Sequence, residues 1–156
     1  MQGFIGWGDG DDAPLRQAWL HHGGPQLGQA DGVLVCDPSA FPKSGHESVG
    51  VARQWCGRLG KVDNGPVAIS LGDVSATGHT LVDMRVSLPK DWTQEKARLD
   101  KAGVPQARRG DRTRHQVALA RLEQDGPALS HGWMAGDDEM GRPYWLRRRL
   151  ATWGER

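Results

Sequence analysis

Residues 31–45, DGVLVCDPSAFPKSG, constrain the fold more than any other stretch of the chain. From Gly32 to Cys36 the only ionisable group is a thiol, which suits a strand covered on both faces. The run ends on Asp37 and meets Pro38 at once, with Phe41-Pro42-Lys43 close behind. The pattern predicts a buried strand that breaks into a turn and leaves a carboxylate at its tip.

The pattern on either side of this run predicts the other elements. Pro14 to His22 fits a short helix, with Leu15, Ala18 and Trp19 on one side and Gly23-Gly24 as its stop. A second strand is expected over Ser48 to Cys56. Asp63-Asn64-Gly65 reads as a turn into a third strand, Val67 to Val74. After a turn at Gly78-His79, Thr80 to Leu88 alternates Val82, Met84, Val86 and Leu88 with Asp83, Arg85 and Ser87, as in a half-buried strand.

The period then lengthens. Thr93 to Ala102 is expected to be helical, with Gly103 and Pro105 ending it. Thr113-Arg114-His115-Gln116 has the form of a capping box that opens a helix to about Gln124. Trp133 to Gly136 is a short apolar strand ending at Asp137. Leu146, Leu150 and Trp153 then fall at helical spacing behind Pro143. Strands first, then helices, then a strand and a helix give a mixed α/β or α+β sheet with flanking helices.

The 156 residues fit one domain. No apolar run reaches the ~18 residues of a membrane span, and the start, MQGFIGWGDGDD, lacks the basic and apolar regions of a signal peptide. Cys36 and Cys56 are not spaced as a redox or metal motif, so a cytoplasmic protein with reduced thiols is expected. A net charge of +1 gives no general pull toward a polyanion, but its distribution is uneven. Between Lys96 and Arg121 stand eight Lys/Arg and two Asp, and Arg142, Arg147, Arg148 and Arg149 form a second basic group. Such surpluses suit a polyanion partner as well as a solvated face.

Two predicted strands end in acids, Asp37 and Asp137. Carboxylates fixed at the ends of neighbouring strands can share a divalent cation, since Mg2+ takes hard oxygen ligands and usually only a few carboxylates. Periodicity alone does not separate that role from a turn-forming aspartate.

The local words go further. DPSAFPKSG, Asp37 to Gly45, resembles the Asp-x-[Thr/Ser]-x-Phe-Pro-Lys signature of a group of DDE transposases from bacterial insertion sequences. SVGVARQWCGRLGKVDN (48–64), RTRHQVALARL (112–122) and GWMAGDDEMGR (132–142) resemble the later blocks of that family, in order. The resemblance implies a ribonuclease H-like fold, with its first catalytic Asp on the first central strand and its second just after the fourth. Asp37 and Asp137 occupy those positions. It further implies Mg2+ or Mn2+ as cofactor, DNA (transposon ends and target) as partner, and metal-dependent strand cleavage and transfer, with a homo-oligomer possible. Lys43, Arg112, Arg114 and Arg142 are the expected DNA contacts. Residues 1–30 are expected to be a lead-in with a short helix, and 31–156 a partial catalytic domain.

The family also carries a third acid, a Glu on a helix after a further strand, which this sequence does not supply before ending at ATWGER. Asp138 and Glu139 are no substitute, because acids adjacent on a turn point in different directions. The expectation is therefore a C-terminally incomplete transposase, with little activity alone. The rival is a noncatalytic remnant or DNA-binding module. A phosphatase with Asp37 as nucleophile would want a second Asp where Ser39 stands. His21-His22, His46 and His131 lack zinc spacing, and Ser39 and Ser44 lack a catalytic His-Asp context. Trp133 and Trp145, among apolar neighbours, are expected in the core.

Overall fold

The computed structural model describes residues 12–156. Its centre is a four-stranded sheet in the order β5-β4-β1-β6. β1 (Val33–Ala40) runs antiparallel to β4 (Val67–Ser75), and β4 antiparallel to β5 (Gly78–Ser87). On its other side β1 pairs in parallel with β6 (Trp133–Gly136), from Val33↔Trp133 to Cys36↔Gly136. A separate hairpin, β2 (Ala52–Cys56) with β3 (Lys61–Gly65), rises between β1 and β4.

The strand expected to break after Asp37 continues to Ala40, and the register explains how. Gly32 O accepts from the N–H groups of Gly132 and Trp133, so even-numbered positions of β1 turn their backbone groups toward β6. Phe41 N donates to Pro66 O, so odd-numbered positions face the β4 side. Pro38 therefore lacks its N–H on the β6 side, beyond the last β1–β6 pair, and no ladder bond is lost. The turn expected at Asp63-Asn64-Gly65 is likewise strand, paired with β2.

One face of the sheet is covered by helices. α1 (Ala13–Leu27) contributes Leu20 and α4 (Arg114–Asp125) contributes Leu122 to a cluster with Leu34, Leu71, Val82 and Leu129. Cys36, Ile69, Ala118 and Met140 continue the same layer. The expected capping box of α4 forms: Thr113 Oγ1 accepts from Gln116 N, and the Gln116 side chain accepts from Thr113 N. α1 runs past its expected stop because Gly23 lies against the Trp19 ring and Gly24 against Ala128 O, so these glycines serve close packing. The helix expected over 93–102 is split into α2 (Lys90–Thr93) and α3 (Lys96–Lys101). α2 places Trp92 fully buried with Leu99 and Val104, its Nε1–H donating to Val51 O at 2.8 Å. α5 (Asp138–Gly141) and α6 (Tyr144–Thr152) follow β6, and α6 buries Leu146 as its spacing predicts.

β5 alternates as expected, but with its faces exchanged. The β4–β5 register slips between Leu71 and Gly72, which pair with Asp83 and Leu81 and leave Val82 as the extra residue. Beyond this bulge Asp83, Arg85 and Ser87 point under the helices, where Asp83 binds Arg85 and Arg121. Met84 and Val86 are left on the opposite face, exposed together with Leu81, Val74 and Trp133. Trp133 (51% exposed) and Trp145 (47%) are thus surface residues. Trp133 lies on the sheet face that no described helix covers, and Trp92 takes the core place expected of them.

Asp73 is 1% exposed on β4, and among the described residues neither of its carboxylate oxygens meets a hydrogen-bond donor in good geometry. Burial raises its pKa above the ordinary carboxylate value, with the nearby charge of His131 acting in the opposite direction. A raised folded-state pKa means that ionised Asp73 opposes folding above that pKa, and that the penalty vanishes below the unfolded value near 3.8. Asp73→Asn should therefore stabilise the chain at pH 7 by about 1–3 kcal/mol, a gain that shrinks toward pH 4. Urea unfolding of both proteins at the two pH values measures it.

Candidate metal and nucleic-acid site

Asp37 and Asp137 are the residues next after Cys36 and Gly136, the last pair of the parallel ladder. The pairing brings them to one end of the sheet on adjacent strands, across a hundred residues of sequence. Both carboxylates act on Cys36: its thiol is pushed up to about 12 by burial first, then by Asp37 and Asp137. Cys36 itself is 1% exposed and packed among Ile69, Ala118 and Met140, so the donors available at the surface here are carboxylate oxygens.

Each carboxylate is oriented by one neutral hydrogen bond. Asp37 Oδ2 accepts from Ser39 Oγ at 2.9 Å, while Ser70 Oγ donates to the Asp37 carbonyl at 2.9 Å. Asp137 is the N-cap of α5, and its Oδ1 accepts from Met140 N at 2.8 Å. One oxygen of each, Asp37 Oδ1 and Asp137 Oδ2, has no partner among the described residues. Asp137 is exposed and Asp37 half-buried. This hard, anionic and partly solvated donor set fits a Mg2+ or Mn2+ ion that keeps several waters. Among the described residues no group of three His, Cys, Asp or Glu side chains converges.

The neighbouring acids are engaged elsewhere. Glu139 receives two bonds from Arg114 Nη1, at 2.9 and 3.1 Å, and Asp138 pairs with Arg142 on the surface. Arg114 also donates to Gln54 Oε1 at 3.3 Å, and a His115 ring nitrogen meets Glu139 O at 2.8 Å. The start of α4 is thereby tied to the turn that carries Asp137.

Of the basic residues expected at DNA, Lys43 is exposed in the loop after β1, its ammonium on Ser48 Oγ. Asn64 holds that loop by donating to Lys43 O and Gly45 O, both at 2.8 Å. Arg112 is exposed, and no ion pair engages it among the described residues. Arg114 and Arg142 have their guanidinium groups committed to Glu139 and Asp138. The sequence presents Asn64 only as a turn residue and Ser39 only as an unsupported nucleophile, and gives Ser70 no role; their bonds to the Lys43 loop and to Asp37 come from the structure. Ser39 carried a signal, since a residue two positions along a strand shares its face.

A mixed sheet in which the first and last strands are parallel neighbours, flanked by helices, is consistent with a ribonuclease H-like fold. The chain matches the family model of the DDE superfamily endonucleases over residues 1–142 and belongs to that family, whose substrates are DNA. Neither the curated proteins nor the solved structures give a match. No described helix is long and apolar enough to cross a membrane.

Gly136 fixes the distance between β6 and α5. A Cβ there would lie 2.9 Å from Met140 Cβ and 3.3 Å from Cys36 O, neither of which is the end of a flexible side chain. Gly136→Ala should push α5 and its N-cap Asp137 off the strand, costing about 1–3 kcal/mol of stability. Thermal unfolding reads the loss, and Mn2+ titration of the variant should show weaker binding than wild type at a temperature where both are folded.

Proposed function

We propose that this chain is a catalytic-domain segment of an insertion-sequence transposase, cutting and joining DNA strands by metal-dependent phosphoryl transfer, with Asp37 and Asp137 as metal ligands. The observation that supports the reading is the parallel β1–β6 ladder, whose last pair, Cys36 and Gly136, is followed in each segment by an acid.

When bound, divalent cations supply Lewis acidity that activates a water or a DNA 3′-hydroxyl and neutralises the leaving oxygen. The chain's part is positional. Asp37 is held by Ser39 and by the strand on which it sits, and Asp137 by the amide of Met140, so each presents its remaining oxygen from a fixed backbone. Lys43, on a loop pinned by Asn64, supplies a cation for a backbone phosphate beside the cleft. Arg114 acts through Glu139 on the turn after Asp137, as a positioning residue.

With two carboxylates the cation is held weakly, and strand cleavage by this chain is slow against its DNA binding. That same count favours, as a second reading, a DNA-binding module that cuts nothing. The two readings separate on metal. In the first, Mn2+ binds, and either Asp37→Asn or Asp137→Asn weakens it by at least tenfold and removes any Mg2+- or Mn2+-dependent nicking of DNA carrying transposon ends. Equal metal affinity and equal nicking after either replacement would sink the assignment. Salt-sensitive DNA binding with no metal binding at all would select the second reading.

A further inference from the structure

At the opposite edge of the sheet, along β5, a cavity of about 600 Å³ opens between α1, α4 and the segment after α3. Five guanidinium groups line it, those of Arg16, Arg85, Arg108, Arg112 and Arg121, and its described lining contains no carboxylate. Three carboxylates partly answer them: Asp125 binds Arg16, Asp83 binds Arg85 and Arg121, and Asp12 binds Arg85 and Arg108. Among the described residues, five cations against three acids leave an excess of two positive charges.

Two donors remain unmet. The Arg16 side chain is only 8% exposed, and its Nε–H has no hydrogen-bond partner among the described residues. Arg112, at the rim, has no ion pair among the described residues. Clustered forks of this kind match an anion with several acceptor oxygens, and guanidinium geometry favours phosphate.

The place of the cavity indicates which phosphate. Asp37 pairs with Ser70, and Ser70 with Met84, which lines the cavity. Met84, in the cavity wall, stands two strand spacings, about 10 Å, from Asp37, so DNA that reaches both sites passes round the β5 edge, from the face that bears Asp37 to the helix-covered face that bears Arg85 and Arg121. Arg108 and Arg112 in its wall are exposed and carry the cavity out to the surface, an opening suited to the phosphate of an extended chain more than to an isolated small anion. We propose that the arginine-lined cavity at the β5 edge seats a backbone phosphate of the DNA bound at Asp37 and Asp137. The proposal rests on the DNA-processing reading above and adds to it a second anchor away from the carboxylates.

The test is duplex binding over a range of salt concentrations by the full chain, its Arg112→Ala, Arg112→Lys and Arg108→Ala/Arg112→Ala variants, with inorganic phosphate as competitor. Arg112→Ala should weaken binding several-fold for unrelated sequences alike and lower the magnitude of the log–log salt slope by about 1. Arg112→Lys should restore the slope, Mn2+ affinity should not move, and inorganic phosphate should not displace the duplex at equal concentration. Wild-type slopes in both alanine variants, with wild-type melting temperatures, overturn the cavity proposal while DNA binding stands. A wild-type chain that binds no duplex overturns both readings. Displacement by inorganic phosphate, lost in Arg112→Ala, assigns the cavity to a small anion and overturns the proposal.

Discussion

The parallel pairing of β1 with β6 is the contact on which the rest of the molecule depends. It joins Val33–Cys36 to a segment a hundred residues later, across an intervening chain that folds as a hairpin, two antiparallel strands and three helices. Closing a loop of that length costs about 4 kcal/mol beyond a constant. The ladder's own hydrogen bonds return about 0.5–1.5 kcal/mol each, so they do little more than cancel that cost. The decision falls to packing: Leu34, Cys36 and Ile69 against Leu122, Ala118 and Met140, each large apolar side chain adding about 1.5–3 kcal/mol when buried. The helices on the covered face thus hold together the strand ends that bear the acids.

Charge follows the same division. Asp83, Arg85, Arg121, Arg16 and Asp125 lie beneath α1 and α4 as a linked ionic layer, and that layer opens into the β5-edge cavity. Near Asp37 and Asp137 the acids that could add negative charge, Asp138 and Glu139, are already matched by arginine. Each acid of the Asp-Asp-Glu triplet in sequence therefore has its own employment, and adjacency in the chain does not translate into a common ligand sphere.

Much of this was legible in the sequence. The apolar run into Asp37, the capping box at Thr113 and the strand into Asp137 are local signals, and each element forms where its residues point. The exchanged faces of β5 were not legible, because one extra residue at Val82 inverts the meaning of every later position, and nothing local marks the bulge. The reversal also required partners far away, Arg121 and Asp12, to make burial of Asp83 and Arg85 tolerable. Trp133 misled for a related reason: apolar neighbours in sequence describe a strand, but not which of its faces a helix covers. The place of Asp137 beside Asp37 came from the family resemblance and not from periodicity, since a register between distant strands leaves no trace in either one alone.

Pro38 has a consequence beyond the sheet it belongs to. Past Cys36 no described strand neighbours the outer rim of β1, and a bare rim normally invites a foreign extended segment to zip on. At position 38 the recruiting donor is missing, so such a segment would lose a rung immediately beside Asp37. The imino acid thereby acts as a doorkeeper. It denies this end of the sheet to other polypeptide and leaves it open for a substrate that needs no backbone ladder to bind.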